Sequence, residues 1–577
     1  MDAEVNRLLR SGARASAFAK PMADRRSSPS ASGGWSRAWE VALRRFAVAL
    51  VVSLVAIVLS AQSGVQPTAL RQPLGESWPM YNGDYSGRRY SALAAIDTSN
   101  VSSLAQAWVF RPDAGTAPAG GGGATSVLIK GTPVVVNGVL YVTIPDHVWA
   151  VDARTGRQIW HSTWPSKGGW HIGNRGVAVL GATVYVETPD CHLVALDIAD
   201  GREKWRTEIC DLEQFYYASA APLIVGNHVI TGVSGDDLDI PGYIEAHDPE
   251  TGTRQWRWYT YPEPGTPEAK TWPNADAAAH GGGMTWGSST YDPELNLLYL
   301  GTGNPQPVIN GRKRQGDNLF TESIVAINPD TGKLVWYFQP SPHDTHDWDA
   351  TQTPVLIDGE IDGKPRKLLA QASRNGWFFV LDRTSGRNIL SKEYVRTNWT
   401  KGVDAKGQPI PDPAKEPQTD GTLVSPNQGG GQNWPPPSFS RRTGLFYANA
   451  TRAFSVYYLY QNENDEKPQG WGGNDRGGWS EAMLQAIDYR TGAIAWSHKW
   501  ADSPSVRSGL LSTVGNVLFA GDASSNFVAF DAATGVPLWH ERLHTSITNG
   551  PVTYRLDGIQ YVVVGAGDRL YAFSLRR

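Results

Sequence analysis

One short pattern recurs along most of the chain and limits the folds that the chain can adopt. Each copy places Asp or Asn first and Gly four residues later, and most copies end on Trp after four more residues. Such a self-similar unit is the sequence signature of a repeat architecture. The seven copies span residues 150–160, 195–205, 245–256, 326–336, 380–390, 486–496 and 529–539.

Each copy is typical of a strand, a tight turn and a second strand, and further alternating or apolar runs precede it. One repeat therefore supplies about four strands, which is the content of a propeller blade. Residues 561–575 form a partial copy that lacks its Trp-bearing strand, and residues 104–110 form such a strand with no partner of its own. Pairing the two predicts an all-β, eight-bladed β-propeller with tryptophan-docking repeats, closed by the N-terminal strand. We expect the repeat tryptophans to pack between blades.

Composition agrees with many short strands and excludes some partners. The chain has 61 Gly and 38 Pro, and only 19% of its residues are charged, which is typical of tight turns rather than long amphipathic helices. The formal net charge of -4 gives no dominant field, and no basic stripe interleaved with aromatics is present. Nucleic acid is therefore not expected as a partner.

The N-terminal part of the chain predicts export. Two arginines precede an apolar run that begins at residue 46, and small and polar residues follow the run. We assign residues 1–45 to a disordered leader, 46–63 to a signal peptide or a retained N-terminal anchor, and 75–577 to the propeller. The expected location is the periplasm, with membrane contact only through an anchor.

The two cysteines lie in the exported part. Cys191 and Cys210 flank a hairpin-like stretch that would bring them together, so a disulfide and two free thiols both remain open. No CxxCH sequence exists, so no c-type haem is attached to this chain.

Two Pro/Gly-rich stretches interrupt the repeat spacing. They span residues 261–283 and 404–438. Long insertions on a rigid scaffold usually carry function and form lids and pocket walls. A site above the central axis is therefore expected.

The sequence from Trp78 to Phe573 resembles the quinoprotein dehydrogenases, beginning with the stretch WPMYNGDYSGRRYSALAAIDTSNVSSLAQAW. Further motifs follow in that family's order: GNRGVAV, TWGSSTYDPELNLLYLGTGNPQP, SPHDTHDWDATQTPVL and QASRNGWFFVLDRTSG. The resemblance implies an enzyme that oxidises an alcohol or sugar with pyrroloquinoline quinone (PQQ) and Ca²⁺. It also implies an electron acceptor such as cytochrome c or a quinone.

The resemblance assigns the cofactor contacts. Arg175 would hold a carboxylate of the cofactor, because an arginine fork suits that group. Ser219 and Ser234 stand where the family places hydroxyl ligands, and Trp286 matches the tryptophan that stacks on the cofactor. Asn433 is a further cofactor contact.

The metal and the chemistry are assigned in the same way. Asn304 matches an amide oxygen ligand, as a hard cation prefers. Asp349 occupies the place of the base that takes the substrate's hydroxyl proton while hydride leaves for the quinone, and it is also assigned to the metal. Arg374 would lie beside the quinone oxygens and hold Asp349 ionised.

Two departures from the family pattern qualify this picture. Asp237 stands where many members have a glutamate ligand to calcium, and its shorter side chain leaves the metal contact open. Thr351 stands where the lanthanide-dependent relatives carry an additional aspartate, which favours calcium. The main alternative is a non-catalytic propeller that serves as a protein-interaction or assembly scaffold, and another is a quinoprotein that has lost activity. A scaffold would need none of the four residues that discriminate in favour of the enzyme: Trp286, Asn304, Asp349 and Arg374.

Overall fold

The computed structural model describes residues 65–113, 128–165, 167, 173–235, 239–460, 470–501, 505–506 and 508–576. The leader and the signal segment predicted for residues 1–63 lie outside these ranges. No helix in the described part of the chain is both long and apolar enough to cross a membrane. Helices are short: α1 is Pro67–Leu70 and α2 is Ala275–Ala279.

Eight sheets follow one another along the chain, each one a blade of the predicted propeller. Two strands precede the first complete blade: β1 (Tyr90–Ser91) and β2 (Leu104–Phe110). The strands of blades 1 and 2 are β3 (Val134–Val136), β4 (Val139–Ile144), β5 (His147–Asp152), β6 (Gln158–Thr163), β7 (Val177–Leu180), β8 (Thr183–Thr188), β9 (His192–Asp197) and β10 (Glu203–Glu208). Those of blades 3 and 4 are β11 (Leu223–Val225), β12 (His228–Gly232), β13 (Tyr243–His247), β14 (Arg254–Tyr259), β15 (Thr290–Asp292), β16 (Leu297–Gly301), β17 (Ile324–Asn328) and β18 (Lys333–Phe338).

The second half of the ring has the same plan with longer connections. Blade 5 and the separate two-stranded ribbon after it contain β19 (Val355–Ile361), β20 (Lys364–Ala372), β21 (Trp377–Asp382), β22 (Asn388–Glu393), β23 (Thr400–Val403) and β24 (Pro409–Pro411). Blade 6 contains β25 (Thr422–Val424), β26 (Ser438–Ser440), β27 (Leu445–Leu459), β28 (Gly473–Asp488) and β29 (Ile494–Lys499). Blades 7 and 8 contain β30 (Leu511–Thr513), β31 (Val517–Gly521), β32 (Asn526–Asp531), β33 (Pro537–Arg542), β34 (Val552–Leu556), β35 (Ile559–Ala566) and β36 (Arg569–Leu575).

The repeat's Asp and Gly build the turn between the third and fourth strands of a blade. In blade 1, the Oδ1 of Asp152 accepts the amides of Arg154 and Thr155, at 2.9 and 3.0 Å. The amide of Gly156 donates to the carbonyl of Asp152 at 2.9 Å, and Gly156 has the positive φ of +71° that this turn requires. The spacing of four residues therefore follows from local hydrogen bonding.

In most blades the repeat's Trp docks the blade onto the next one. Trp160 of blade 1 donates its indole N–H to the carbonyl of Ile198 in blade 2 at 3.0 Å, and its ring lies against Gly201. The same ring-on-glycine contact joins Trp205 to Gly252, Trp256 to Gly332, Trp336 to Gly386 and Trp496 to Gly535. The packing role predicted for these tryptophans is confirmed.

The N-terminal strand closes the ring as predicted. Strand β2 pairs antiparallel with β36, with Leu104 opposite Leu575 and Phe110 opposite Leu570. It forms the outer edge of blade 8, whose other strands come from the C-terminal end of the chain. The indole of Trp108 then donates to the carbonyl of Ala153 in blade 1. The two ends of the described propeller are thereby joined in one sheet.

Blade 2 contains the two cysteines whose pairing the sequence left open. Cys191 and Cys210 form a disulfide, and both residues are buried in the core between blades. The carbonyl of Cys191 also accepts the amide of Ile209, so the hairpin aligns the two residues as its sequence suggested.

Candidate active site

The residues predicted for the site come from different blades but reach the same face of the propeller. Arg175, Ser219, Trp286 and Asp349 each precede the first strand of a blade, and Arg374 follows a second strand. Because neighbouring strands are antiparallel, the first strand of a blade starts at the same end of the sheet at which the second strand finishes. Consecutive blades therefore present these side chains together at one end of the ring.

A cavity of about 670 Å³ opens on this face. Six predicted residues line it: Arg175, Ser234, Trp286, Asp349, Arg374 and Asn433. Residues 427–430 and 433–435 of the second Pro/Gly-rich insertion also line it, as we expected of an insertion. The expectation is wrong for the first insertion, none of whose described residues lines the cavity.

Arg374 organises one end of the cavity. Its Nη1 donates to Oδ2 of Asp349, and its Nη2 donates to Oδ2 of Asp347 at 3.0 Å and to the carbonyl of Gln428 at 2.6 Å. One planar guanidinium thus holds two carboxylates, each through one oxygen and one nitrogen, which fixes the position of the two carboxylates relative to each other. Burial opposes the charge of Arg374, but Asp347 and Asp349 raise the pKa of this guanidinium above its ordinary value.

Asn304 contacts Asp349 from behind the cavity wall rather than from the wall itself. Its backbone N–H donates to Oδ1 of Asp349 at 2.8 Å, and its side-chain Nδ2 donates to the backbone carbonyl of Pro305 at 3.3 Å. This second bond fixes Nδ2, so the side-chain oxygen is left as a potential metal ligand. Gly303 precedes it, and a Cβ there would lie 2.7 Å from Oδ1 of Asp349.

Arg175 organises the opposite end. Its Nη1 donates to the hydroxyl of Ser219 at 2.6 Å, and that hydroxyl lies 3.0 Å from the hydroxyl of Ser234. Ser219 stands behind the wall, whereas Ser234 lines the cavity. The guanidinium carbon of Arg175 is 4.7 Å from the ring centroid of Trp286 and 5.3 Å from that of Trp434.

This end fits an acceptor-rich planar cofactor such as PQQ. Arg175 and Ser234 supply a cation and a hydroxyl for carboxylates, and Trp286 supplies an aromatic face. The indole Nε1 of Trp286 is buried and has no hydrogen-bond partner in the described structure. Asn433 orients its side chain by donating to the carbonyl of Gly429 at 3.0 Å.

Two of the three predicted metal ligands, Asn304 and Asp349, lie in the described part of the chain. Asp237 lies outside the described residues, so its predicted contact has no geometry here. Within the described ranges, no three His, Cys, Asp or Glu side chains converge closely enough to hold an ion. Asn304 and Asp349 fit a hard cation by the chemistry of their oxygens.

Two buried glutamates were not anticipated from the sequence. Glu322 is fully buried, neither carboxyl oxygen has a hydrogen-bond partner in the described structure, and its amide donates to the carbonyl of Gly303. Burial, reinforced by Asp344 and Asp349, raises the pKa of Glu322 well above its ordinary value. The pKa of Asp347 is raised by burial in the same way, against the opposing charge of Arg374.

The second glutamate lies near the cofactor end. Glu187 on β8 is fully buried, and burial raises the pKa of its carboxyl to about 8. The backbone amides of Gly232 and Ala220 and the charge of Arg175 oppose this shift. Its local sequence, an alternating strand, gives no sign of this burial, because the contacts come from the next blade.

Comparisons with known proteins agree with this architecture. Residues 78–419 and 476–562 match the family model of the PQQ glucose/ethanol/alcohol dehydrogenase β-propeller domain. The chain is 37% identical over 540 residues to a quinohemoprotein alcohol dehydrogenase of Comamonas testosteroni, covering 87% of this chain and 74% of that protein. It is 34% identical to the quinoprotein alcohol dehydrogenase PedH of Pseudomonas putida, covering 90% of this chain and 91% of that protein.

Solved structures agree as well. The crystal structure of the Comamonas testosteroni enzyme superposes with a TM-score of 0.81 at 33% identity, covering 90% of this chain and 84% of that one. A europium-containing methanol dehydrogenase superposes with a TM-score of 0.79 at 29% identity, covering 88% of this chain and 99% of that one.

The fold and its cavity therefore define an oxidoreductase of the propeller class that acts on CH–OH donors. Within that class, the chain belongs to the PQQ-dependent quinoprotein alcohol dehydrogenase family. The alternative of a non-catalytic scaffold is not supported, because the two relatives are named as alcohol dehydrogenases and their matches cover 87% and 90% of this chain.

Proposed function

We propose that this protein is a periplasmic, PQQ- and Ca²⁺-dependent dehydrogenase that oxidises an alcohol or a sugar, with Asp349 as the base. The observation that carries the proposal is the position of Asp349: it lines the cavity while Arg374 and the amide of Asn304 fix its two oxygens. A carboxylate held in this way is oriented before the substrate arrives.

In this proposal Asp349 takes the proton of the substrate's hydroxyl group. When bound, PQQ would supply the hydride acceptor for the carbon that carries that hydroxyl, and the cation would supply a Lewis acid. Arg374 stabilises negative charge that develops beside it, because its guanidinium is buried and its donors are already oriented. The cofactor would be held by five residues: Arg175, Ser219, Ser234, Trp286 and Asn433.

The charge balance of the site supports a bound cation. In the described part of this region, four buried carboxyl groups share two buried guanidinium groups, Arg374 and Arg314. The four are Glu322, Asp344, Asp347 and Asp349. Burial raises the pKa of Glu322 and of Asp347, and a divalent ion bound beside these carboxyl groups would favour their ionised forms. Asn304, Asp349 and Asp237 are the proposed ligands, and Thr351 in place of a further carboxylate favours calcium.

Location and electron acceptor are proposed from separate observations. The apolar segment at residues 46–63 and the Cys191–Cys210 disulfide suit an oxidising compartment such as the periplasm. One relative is named 1-butanol dehydrogenase (cytochrome c), and three are named alcohol dehydrogenase (quinone), dehydrogenase subunit. Since the sequence contains no CxxCH haem motif, electrons would leave this chain to a separate cytochrome c or quinone.

The proposal is tested with purified protein that is reconstituted with PQQ and Ca²⁺ and supplied with an artificial electron-accepting dye. We expect dye reduction with at least one class of alcohol or sugar, and no turnover by Asp349→Asn, which should still retain the cofactor's absorbance. Asp276→Asn, at a carboxylate that is 87% exposed, is the matched control and should behave as the wild type. Bound cofactor without turnover on a broad panel, or an active Asp349→Asn variant, would contradict the proposal.

A further inference from the structure

Two adjoining clefts lie on the face of the propeller opposite to the cavity. The turns after the first and third strands of a blade lie at that end, because neighbouring strands are antiparallel. One cleft, of about 270 Å³, runs between Arg71, which follows α1, and Arg441, in the turn between β26 and β27. The other, of about 460 Å³, is lined by Arg442 and Arg490. Arg441 and Asp358 line both clefts, which therefore form one groove across the ends of blades 4, 5 and 6.

The groove has more arginines than its carboxylates can pair with. Each of its four carboxylates has a cationic partner at 2.5 to 3.6 Å: Asp84 with Arg88, Asp292 and Asp358 with Arg383, and Glu294 with Lys367. Three exposed arginines of the groove have no carboxylate partner in the described part of the chain, and we name them the arginine cluster: Arg71, Arg441 and Arg442. Arg442 donates only to the carbonyl of Val514, at 2.9 Å.

Positive charges are close together in this groove. Burial raises the pKa of the Tyr90 phenol, and three guanidinium groups lie near enough to oppose that rise: Arg442, Arg441 and Arg88. Burial also lowers the pKa of Arg88, Asp84 opposes this shift, and the charge of Arg441 adds to it. Because like charges repel, guanidinium groups held this close favour a bound anion. Their planar forks suit phosphate oxygens in particular.

The chain enters the propeller at this same face. The carbonyl of Val65 accepts the amide of Gly181 at 2.8 Å, in the turn between β7 and β8. Helix α1 then buries Leu70, and Arg71 reaches the groove. Only residues 62–64 separate Val65 from the apolar run that begins at residue 46. A link of that length spans at most roughly 15 Å, so a retained anchor would tether this face, and not the face with the cavity, close to the membrane.

We propose that the arginine cluster binds the phosphate groups of anionic phospholipids, so that the propeller rests on the membrane surface with its cavity turned away from the lipid. Each basic residue beside an anionic lipid surface strengthens binding by about fivefold. The attraction acts within a Debye length, which is about 10 Å at 0.1 M salt. This contact does not depend on the reaction, and it leaves the cavity open to substrate and to an electron acceptor.

The test is the modification of arginine side chains by phenylglyoxal in the full-length wild-type protein, followed by mass spectrometry. The protein is mixed with vesicles of phosphatidylcholine alone or with vesicles that contain one-third phosphatidylglycerol. Phosphatidylglycerol should slow modification of the arginine cluster at least fivefold, and raised salt should abolish this protection. Three exposed arginines in connections at the face with the cavity are internal controls, and their rates should stay within twofold: Arg312, Arg396 and Arg476.

A pair of matched variants gives a second readout, with Arg71 as the reporter. Arg441→Gln combined with Arg442→Gln should reduce the protection of Arg71 at least threefold. Arg312→Gln combined with Arg396→Gln removes the same charge from the other face and should leave that protection unchanged. Both variants keep the N-terminal arginines and the apolar segment of the wild type, so these cannot cause a difference.

Three results would overturn the proposal. The first is equal modification of the arginine cluster on both kinds of vesicle, and the second is equal protection of the cluster and the control arginines. The third is protection by inorganic phosphate, at the same phosphate concentration, without protection by the phosphatidylglycerol vesicles. That result would assign the groove to a small soluble anion.

Discussion

Arg374 and Asp349 form an ion pair that is almost completely withdrawn from solvent, with side-chain exposures of 6% and 3%. The pair is not isolated, since the amide of Asn304 occupies the other oxygen of Asp349 and Asp347 occupies the other arm of Arg374. Breaking a buried pair by removing one partner leaves an uncompensated charge, which is strongly destabilising. The role of Arg374 is therefore tested by a substitution that keeps its charge and changes only its geometry.

Arg374→Lys makes that change. Lysine keeps the positive charge but has no planar fork, so it cannot hold Asp349, Asp347 and the carbonyl of Gln428 in their present arrangement. We expect kcat to fall about 100-fold or more, the scale seen when one oriented donor is removed from an active site. Steady-state kinetics of the reconstituted enzyme measures this. Arg202→Lys, at a side chain that is 85% exposed, is the control and should keep the wild-type kcat. If kcat of Arg374→Lys stays within threefold of the wild type, the positioning role of Arg374 is refuted.

The buried carboxyl of Glu187 predicts a pH dependence of stability. Its pKa is about 8 in the folded protein and near its ordinary value of 4.5 when unfolded, so the folded state keeps a proton that the unfolded state loses between these values. The free energy of unfolding should therefore fall as the pH rises from about 5 to 8, by up to about 1.4 kcal/mol per pH unit from this group. Well below pH 4.5 the carboxyl of Glu187 is protonated in both the folded and the unfolded state, so it no longer changes the free energy of unfolding with pH.

Glu187→Gln should remove this slope, because glutamine has no proton to lose. Thermal unfolding of both proteins at several pH values measures it, and the advantage of the variant should grow from pH 5 to 8. Glu213→Gln, at an exposed position, is the control and should run parallel to the wild type. Parallel curves for Glu187→Gln would show that the carboxyl is ionised and solvated in the folded protein.

The docking of blades predicts an unequal response of two glycines. Gly332 has φ of +67° and Gly226 has φ of +59°, so alanine is strained in the backbone at both positions by roughly 1 to 2 kcal/mol. At Gly332 the added Cβ would also lie 2.6 Å from the ring of Trp256, whereas nothing lies within 4 Å at Gly226. Gly332→Ala should therefore have the lower Tm, with an extra destabilisation of about 1 to 3 kcal/mol from overpacking. Equal values of Tm would argue against the docking role of the Trp256–Gly332 contact.

The blades were predictable because their signal is local. Asp152 and Gly156 close a turn by hydrogen bonds within five residues, and the Trp that follows meets the equivalent glycine of the next repeat. The same rule accounts for the copy that ends on Leu390, where Gly492 of the next repeat meets Leu390 and Lys392 instead of an indole ring. Repetition turned each local rule into a prediction for the whole ring.

The site was less predictable because its contacts join distant blades. The face that carries Asp349 and Arg374 follows from strand order, but the burial of Glu187 and Glu322 depends on neighbours far along the chain. The second carboxylate on the fork of Arg374 could not be deduced either, since Asp347 precedes Asp349 in a run of polar residues that reads as a loop. Asp237 remains a prediction.

Because blade 8 takes its outer strand from Leu104–Phe110 and its other strands from the last part of the chain, folding cannot finish in order of synthesis. Until Arg569–Leu575 is available, strand β2 has no sheet to join, and blades 1 and 7 each keep an uncovered flank. Such flanks and strand edges can pair with other chains. A protein shortened at its C-terminus would therefore tend to aggregate, and cells would need to shield the incomplete ring until the final residues arrive.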